Sequence, residues 1–159
     1  MQRIGVISDT HSLLRPEAIA ALVGVDLIVH AGDIGSQDVI DRLTEIAPVK
    51  AVRGNVDKSP WADRYPETDA FEVDGIYFYV LHEIDRLDID PRSGGFQVVI
   101  SGHSHKPMIE WKDEVLFVNP GSAGPRRFDL PISLAILQMS NAQVASTMIN
   151  LDEGLVEAP

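Results

Sequence analysis

The chain has 159 residues, a formal net charge of −11 and no cysteine. That length is one domain's worth, expected to span residues 1–159 and able to bury roughly 70% of the surface its unfolded form exposes. The missing cysteines exclude disulfides and thiolate metal sites, and the acidic balance argues against broad binding to a nucleic-acid backbone. No run approaches the ~18 apolar residues of a membrane span, and the short apolar run after Met1-Gln2-Arg3 is too brief for a secretory signal, so a cytoplasmic location is expected.

In chain order, the run Ile4-Gly5-Val6-Ile7 predicts a buried strand that ends in Ser8-Asp9-Thr10-His11. Arg15-Pro16-Glu17 begins a short helical pattern through Leu22, with Pro and an acidic residue suited to a first turn. Residues 26–30 read as a second strand. Ser36 is the expected N-cap of a helix carrying Val39, Ile40, Leu43 and Ile46, and Pro48 stops it before a third strand at 49–52. This β-α-β-α-β opening implies a parallel sheet with right-handed crossovers.

The second half changes character. Residues 58–68 read as a loop, and Asp74-Gly75 between 71–73 and 76–81 signals a hairpin. Residues 83–95 are acidic and broken by Pro91 and Gly94-Gly95, so any helix there is short. Val98-Val99-Ile100 precedes Ser101-Gly102-His103-Ser104-His105, and Val115-Leu116-Phe117-Val118 precedes Asn119-Pro120-Gly121-Ser122. Residues 133–139 and 143–149 alternate around Ser140-Asn141 as a last hairpin, giving this half a more antiparallel look.

All five histidines lie at or just past an apolar run. A lone histidine at a strand end is usually structural; five such endings are not a scatter. Ligands of open α/β sheets bind beyond the carboxyl ends of the strands, so Asp9, His11, Asp33, Asn55, His82, His103 and His105 are candidates to converge. Carboxylate oxygen and imidazole nitrogen suit Mn, Fe, Zn, Ni or Co better than Ca.

In this order Asp9-Thr10-His11, Gly32-Asp33, Gly54-Asn55, His82 and Gly102-His103-Ser104-His105 resemble the calcineurin-like metallophosphoesterase superfamily, and the short chain with Asn119-Pro120-Gly121-Ser122 resembles its small bacterial and archaeal phosphodiesterase branch. The resemblance covers residues 4 to about 125. It implies an α/β/β/α sandwich of two mixed sheets with two divalent metal ions, Mn2+ favoured over Fe, Ni, Zn or Co. Carried over, Asp9, His11 and His105 hold one metal, Asn55, His82 and His103 the other, and Asp33 bridges. The implied activity is phosphoric ester hydrolysis of a small phosphorylated substrate, favouring phosphodiesters. A hydroxide between the metals attacks phosphorus, with Asn55, Asp33 and His82 nearest the chemistry. His30 and Asp57 are expected to support these residues from behind.

Where many members of the superfamily place a proton-donating histidine after the Asn, this chain has Val56. Where they have glycine after the fourth-block histidine, it has Glu83, which a positive φ would strain and which is otherwise free to repel anions or to ligate. Arg126 is a candidate phosphate contact or a salt-bridge partner, and Trp61, Tyr65 and Trp111 are expected to pack. The competing function is a metal-retaining protein-interaction scaffold of the same fold with little or no turnover, as the retromer scaffold subunit exemplifies.

Overall fold

The computed structural model describes residues 1–58 and 60–152, which fold into two five-stranded sheets. The opening alternation is β1 (Gln2–Ile7), α1 (Pro16–Ala21), β2 (Leu27–His30), α2 (Gln37–Thr44) and β3 (Val49–Ala51), with β1, β2 and β3 mutually parallel. Pro16 stands in the first turn of α1. Ser36 holds the N-cap position of α2 with an extended backbone, but its side chain makes no capping bond, so Asp38 in the first turn is the feature that favours this end.

β4 (Thr68–Val73) and β5 (Ile76–Leu81) form the hairpin predicted around Asp74-Gly75, both of which adopt positive φ. The preceding loop contains a 3-10 turn at Pro60–Arg64. There Trp61 and Tyr65 pack edge to face, and the Tyr65 hydroxyl donates to Gln37 Oε1 at 2.6 Å. β6 (Val98–Ile100) lies parallel between β5 and β8 (Val115–Asn119), and β7 (Met108–Lys112) adds an antiparallel edge. The second sheet is thus half parallel, because residues 82–97 form a crossover rather than a hairpin. β9 (Ser133–Ser140) and β10 (Gln143–Asn150) turn at Asn141-Ala142 and join β1 antiparallel, completing the order β10-β9-β1-β2-β3; the other sheet runs β4-β5-β6-β8-β7.

Three apolar layers follow from strand alternation. Ile4, Val6 and Val29 of one sheet meet Phe78, Val80 and Ile100 of the other, while Ile7 and Ile28 face Ala18, Leu22, Val39 and Leu43 of the helical side. At Gly5, facing α1, an added Cβ would come within 2.3 Å of Leu22 Cδ2, so the missing side chain sets how closely the helical segment seats. The outer face of the second sheet carries Leu81, Val99 and Val115, packed by Leu87 just after a 3-10 turn at Ile84–Arg86. The fourth layer is therefore an irregular segment with one short turn. Among the described residues no helix is long and apolar enough to cross a membrane.

Candidate metal centre

β1, β2, β3, β5 and β6 end on one side of the molecule, and the backbone joins their loops directly. Asp9 N donates to Gly32 O at 2.9 Å, His11 N to Asp33 O at 3.0 Å, and Gly102 N to His82 O at 2.9 Å. Six of the seven candidate side chains fall into two groups whose nitrogen and oxygen atoms lie within 4.8 Å of one another: Asp9, His11 and His105, and Asp33, His82 and His103. The seventh, Asn55, is exposed on the loop after β3 and lines the same cavity as His82.

Asp33 Oδ2 stands between the groups, 3.6 Å from His11 Nε2 and 3.2 Å from His82 Nε2. Asp9 Oδ1 is 3.3 Å from His105 Nε2 and 3.8 Å from both His11 Nε2 and His82 Nε2. The other Asp9 oxygen is committed, accepting from Ser8 Oγ at 2.7 Å and from His103 N at 3.0 Å. Among the described residues, Asp9 Oδ1, His11 Nε2, His82 Nε2 and both His105 ring nitrogens are buried without a hydrogen-bond partner. Orphaned polar atoms of this kind are rare and costly, and here the three Nε2 atoms stand within 3.8 Å of Asp9 Oδ1. The His82 Nδ1–H donates to Ala31 O at 2.7 Å, which leaves the Nε2 lone pair aimed at the cluster, the state of a ligating imidazole. The residues present fit divalent cations.

The charges agree. Burial would raise the Asp9 carboxyl, but His105, His11 and His82 hold it far below the usual carboxylate range. Burial likewise opposes, and His82 outweighs it, at Asp33, which is lowered. His11 is raised chiefly by its bond to Asp9; His82 is raised because Asp33 and Asp9 overcome its burial. The imidazoles of His11 and His82 are held where a positive charge is wanted, whether a proton or a metal ion supplies it.

Five of these seven residues, Asp9, His11, Asp33, His103 and His105, have φ between 45° and 72°, a left-handed backbone uncommon for residues with side chains. Such strain clusters where function requires it. The glycines of the motifs have a steric reason: a Cβ on Gly54 would stand 2.1 Å from Asp33 Oδ1, on Gly102 2.7 Å from Asp9 Oδ2, and on Gly32 2.6 Å from His82 Nδ1.

Behind the cluster, Asp57 accepts from the amides of Ile34, Gly35 and Gly54 at 2.9 to 3.0 Å and laces together the loops after β2 and β3. His30 is fully buried between Thr10 Oγ1 and the Gly32 amide, and burial lowers it to about 4, so it is neutral and donates through Nε2 to Thr10. The sequence marked Asn119 and Ser122 only as part of the branch resemblance and gave them no role at the site. Asn119 Nδ2 donates to Gly102 O and Ser104 Oγ, and Ser122 Oγ donates to Asp9 O. The signal was available, since Asn119 ends β8, which neighbours β6, and Ser122 follows it.

Three expectations are decided. Glu83 has φ −109°, so no strain arises; its Oε2 pairs with Arg86 Nε at 2.8 Å and its Oε1 lies 3.5 Å from His103 Nε2, outside both ligand groups. Arg126 is held by Asp152 and by Leu130 O, which makes it a salt-bridge residue in this structure, although it borders the cavity of His11 and His105. Trp111 is exposed on β7 rather than packed.

Comparison with known proteins identifies the family. The calcineurin-like phosphoesterase superfamily domain matches residues 2–142. A probable metallophosphoesterase of Methanothermobacter thermautotrophicus is 33% identical over 92% of this chain and 91% of its own. The structure of an archaeal phosphodiesterase superposes with a TM-score of 0.77 at 27% identity, covering 93% of this chain and all of that one. Vps29 of Chaetomium thermophilum shares the fold with a TM-score of 0.76, at 20% identity over 93% of this chain and 95% of that one. The chain belongs to the calcineurin-like phosphoesterase superfamily.

Proposed function

We propose that the protein is a metal-dependent phosphodiesterase acting on small phosphorylated substrates. Asp9, His11 and His105 would hold one divalent cation and His82, His103 and Asn55 the other, with Asp33 placed between the two sets. The observation that carries this reading is the convergence of buried, unpartnered nitrogen and oxygen atoms around Asp9 Oδ1 and Asp33 Oδ2. Bound divalent ions supply charge neutralisation for the phosphoryl group and lower the pKa of water toward neutrality, and a mixed oxygen and nitrogen set without thiolate is compatible with Mn2+.

The chain's own groups do the rest. Asp33 and Asp9 fix the negative charge that places the cations, and the Ala31 carbonyl fixes the His82 tautomer. Asn55, exposed beside His82, donates its amide to a phosphate oxygen. No imidazole follows Asn55, so nothing at residue 56 protonates a departing alkoxide. Esters whose leaving group departs as a stable anion are therefore hydrolysed best, and diesters before monoesters.

Hydrolysis of bis(p-nitrophenyl) phosphate with Mn2+ tests this, read together with metal content for wild type, Asp33→Asn and Asn55→Ala. Turnover in wild type with a loss of about a hundredfold or more in each variant is expected. Full metal occupancy without turnover of any diester would instead assign the scaffold role.

A further inference from the structure

The cavity beside Asn55 and His82, about 370 Å3, is larger than a phosphoryl group requires and falls within the range of small-molecule sites. Its lining also includes Tyr79 and Leu81 of β5 and the charged side chains of Arg53, Glu67, Glu83, Arg86 and Asp88. The Tyr79 ring is only partly buried, with Phe96 packed against it edge to face at 5.4 Å, which holds the ring's orientation. Both cations of the lining are already engaged. Arg53 donates to Tyr65 O at 3.0 Å and lies 3.7 Å from Glu67, and Arg86 pairs with Glu83. Among the described residues no ion pair involves Asp88, so the lining carries three carboxylates against two guanidiniums, and Asp88 is the unpaired charge.

The carboxylates of this lining disfavour an anionic group and accept hydrogen bonds from hydroxyls, while Tyr79 offers a planar ring a stacking face. We propose that this cavity binds one ester substituent of the diester, and that the substituent is uncharged, planar and hydroxyl-bearing, of the size and chemistry of a nucleoside. The proposal rests on the phosphodiesterase reading and assigns the substrate class of that same site. Tyr79 and Asp88 are its specificity residues, Tyr79 by stacking and Asp88 by excluding anions.

Three diesters with the same p-nitrophenolate leaving group separate substituent recognition from chemistry: the methyl, the 4-carboxyphenyl and the thymidine 5′ esters. In the Mn2+-loaded enzyme kcat/KM for the thymidine ester should exceed that for the methyl ester by about tenfold, the worth of one base–aromatic stack, with most of the difference in KM. Tyr79→Leu should bring the two esters to within about twofold, and Asp88→Asn, at an exposed position, should raise the 4-carboxyphenyl ester selectively by about threefold or more. Equal kcat/KM for the methyl and thymidine esters in wild type, or a preference unchanged in both variants, overturns the proposal. If no diester is turned over, the phosphodiesterase reading has failed by itself, and titration of thymidine into the Mn2+-loaded protein decides about the cavity. Saturable binding that Tyr79→Leu weakens upholds it; no saturation up to about 10 mM, or binding that Tyr79→Leu leaves unchanged, overturns it.

Discussion

Glu83 occupies a position where an unusual side chain acquires a role through its neighbours. One oxygen is fixed by Arg86 and the other lies 3.5 Å from Nε2 of His103, an imidazole that is otherwise largely exposed. A carboxylate beside one nitrogen of a ligating histidine sets its tautomer and orientation, leaving the other nitrogen unprotonated and available to a metal. Glu83→Gln is therefore expected to weaken the second metal by about tenfold or more while the first is retained, read by calorimetric titration as two separated binding steps. Val56 is the complementary case of a missing group. It is about half exposed beside Asn55, so Val56→His fits without repacking and is expected to raise turnover of diesters with poor leaving groups. The gain should be about tenfold to a hundredfold, with bis(p-nitrophenyl) phosphate changed little, in a series of aryl diesters graded by leaving-group pKa.

At the scale of elements, the strands bring the site together and the loops beyond them hold it. Asp57 is the clearest fastening, because one buried carboxylate satisfies three backbone amides from the loops after β2 and β3. Asp57→Ala leaves those donors unpaired at a cost of about 3 kcal/mol or more, so urea denaturation should show an earlier midpoint and metal titration a weakened centre. Asp57→Asn retains two acceptor positions at most and should fall between. The strands themselves were legible from sequence because each is an apolar run that ends in polar residues, as at Val29-His30 and Ile100-Ser101. β7 was not, since most of its side chains are exposed and an edge strand leaves little alternation to read. The left-handed backbone at Asp9, Asp33 and His105 was equally hidden, because it is imposed by loops that meet from distant parts of the chain. The Arg126 ion pair depends on Asp152, twenty-six residues away, and no local pattern encodes it.

For the whole molecule, metal binding and folding are linked through protons, and the directions of the pKa shifts set the sign. His11 and His82 are raised, so in metal-free protein their contribution to stability is present below about pH 6.5 and is lost as pH rises through their folded values. Asp9 and Asp33 are lowered, contributing above about pH 4 and losing that contribution in acid. His30, lowered to about 4, stays neutral in the fold while the unfolded chain takes up that proton as pH falls from about 6.5 to 4, and this adds to the acid loss. Metal-free protein is therefore expected to be most stable near pH 5.5 to 6.5 and to weaken on either side. Divalent cations take the place of the protons on His11 and His82, so the metal-loaded protein keeps its stability above pH 6.5 while the metal-free form declines. The gap between the two should widen by about 1.4 kcal/mol per pH unit for each proton displaced. Urea midpoints at pH 5.5, 6.5 and 8.0, measured with Mn2+ and with EDTA, check this. Parallel curves with a constant gap would mean that the cations do not compete with protons at these imidazoles, and the placement of His11 and His82 as ligands would fall with that result.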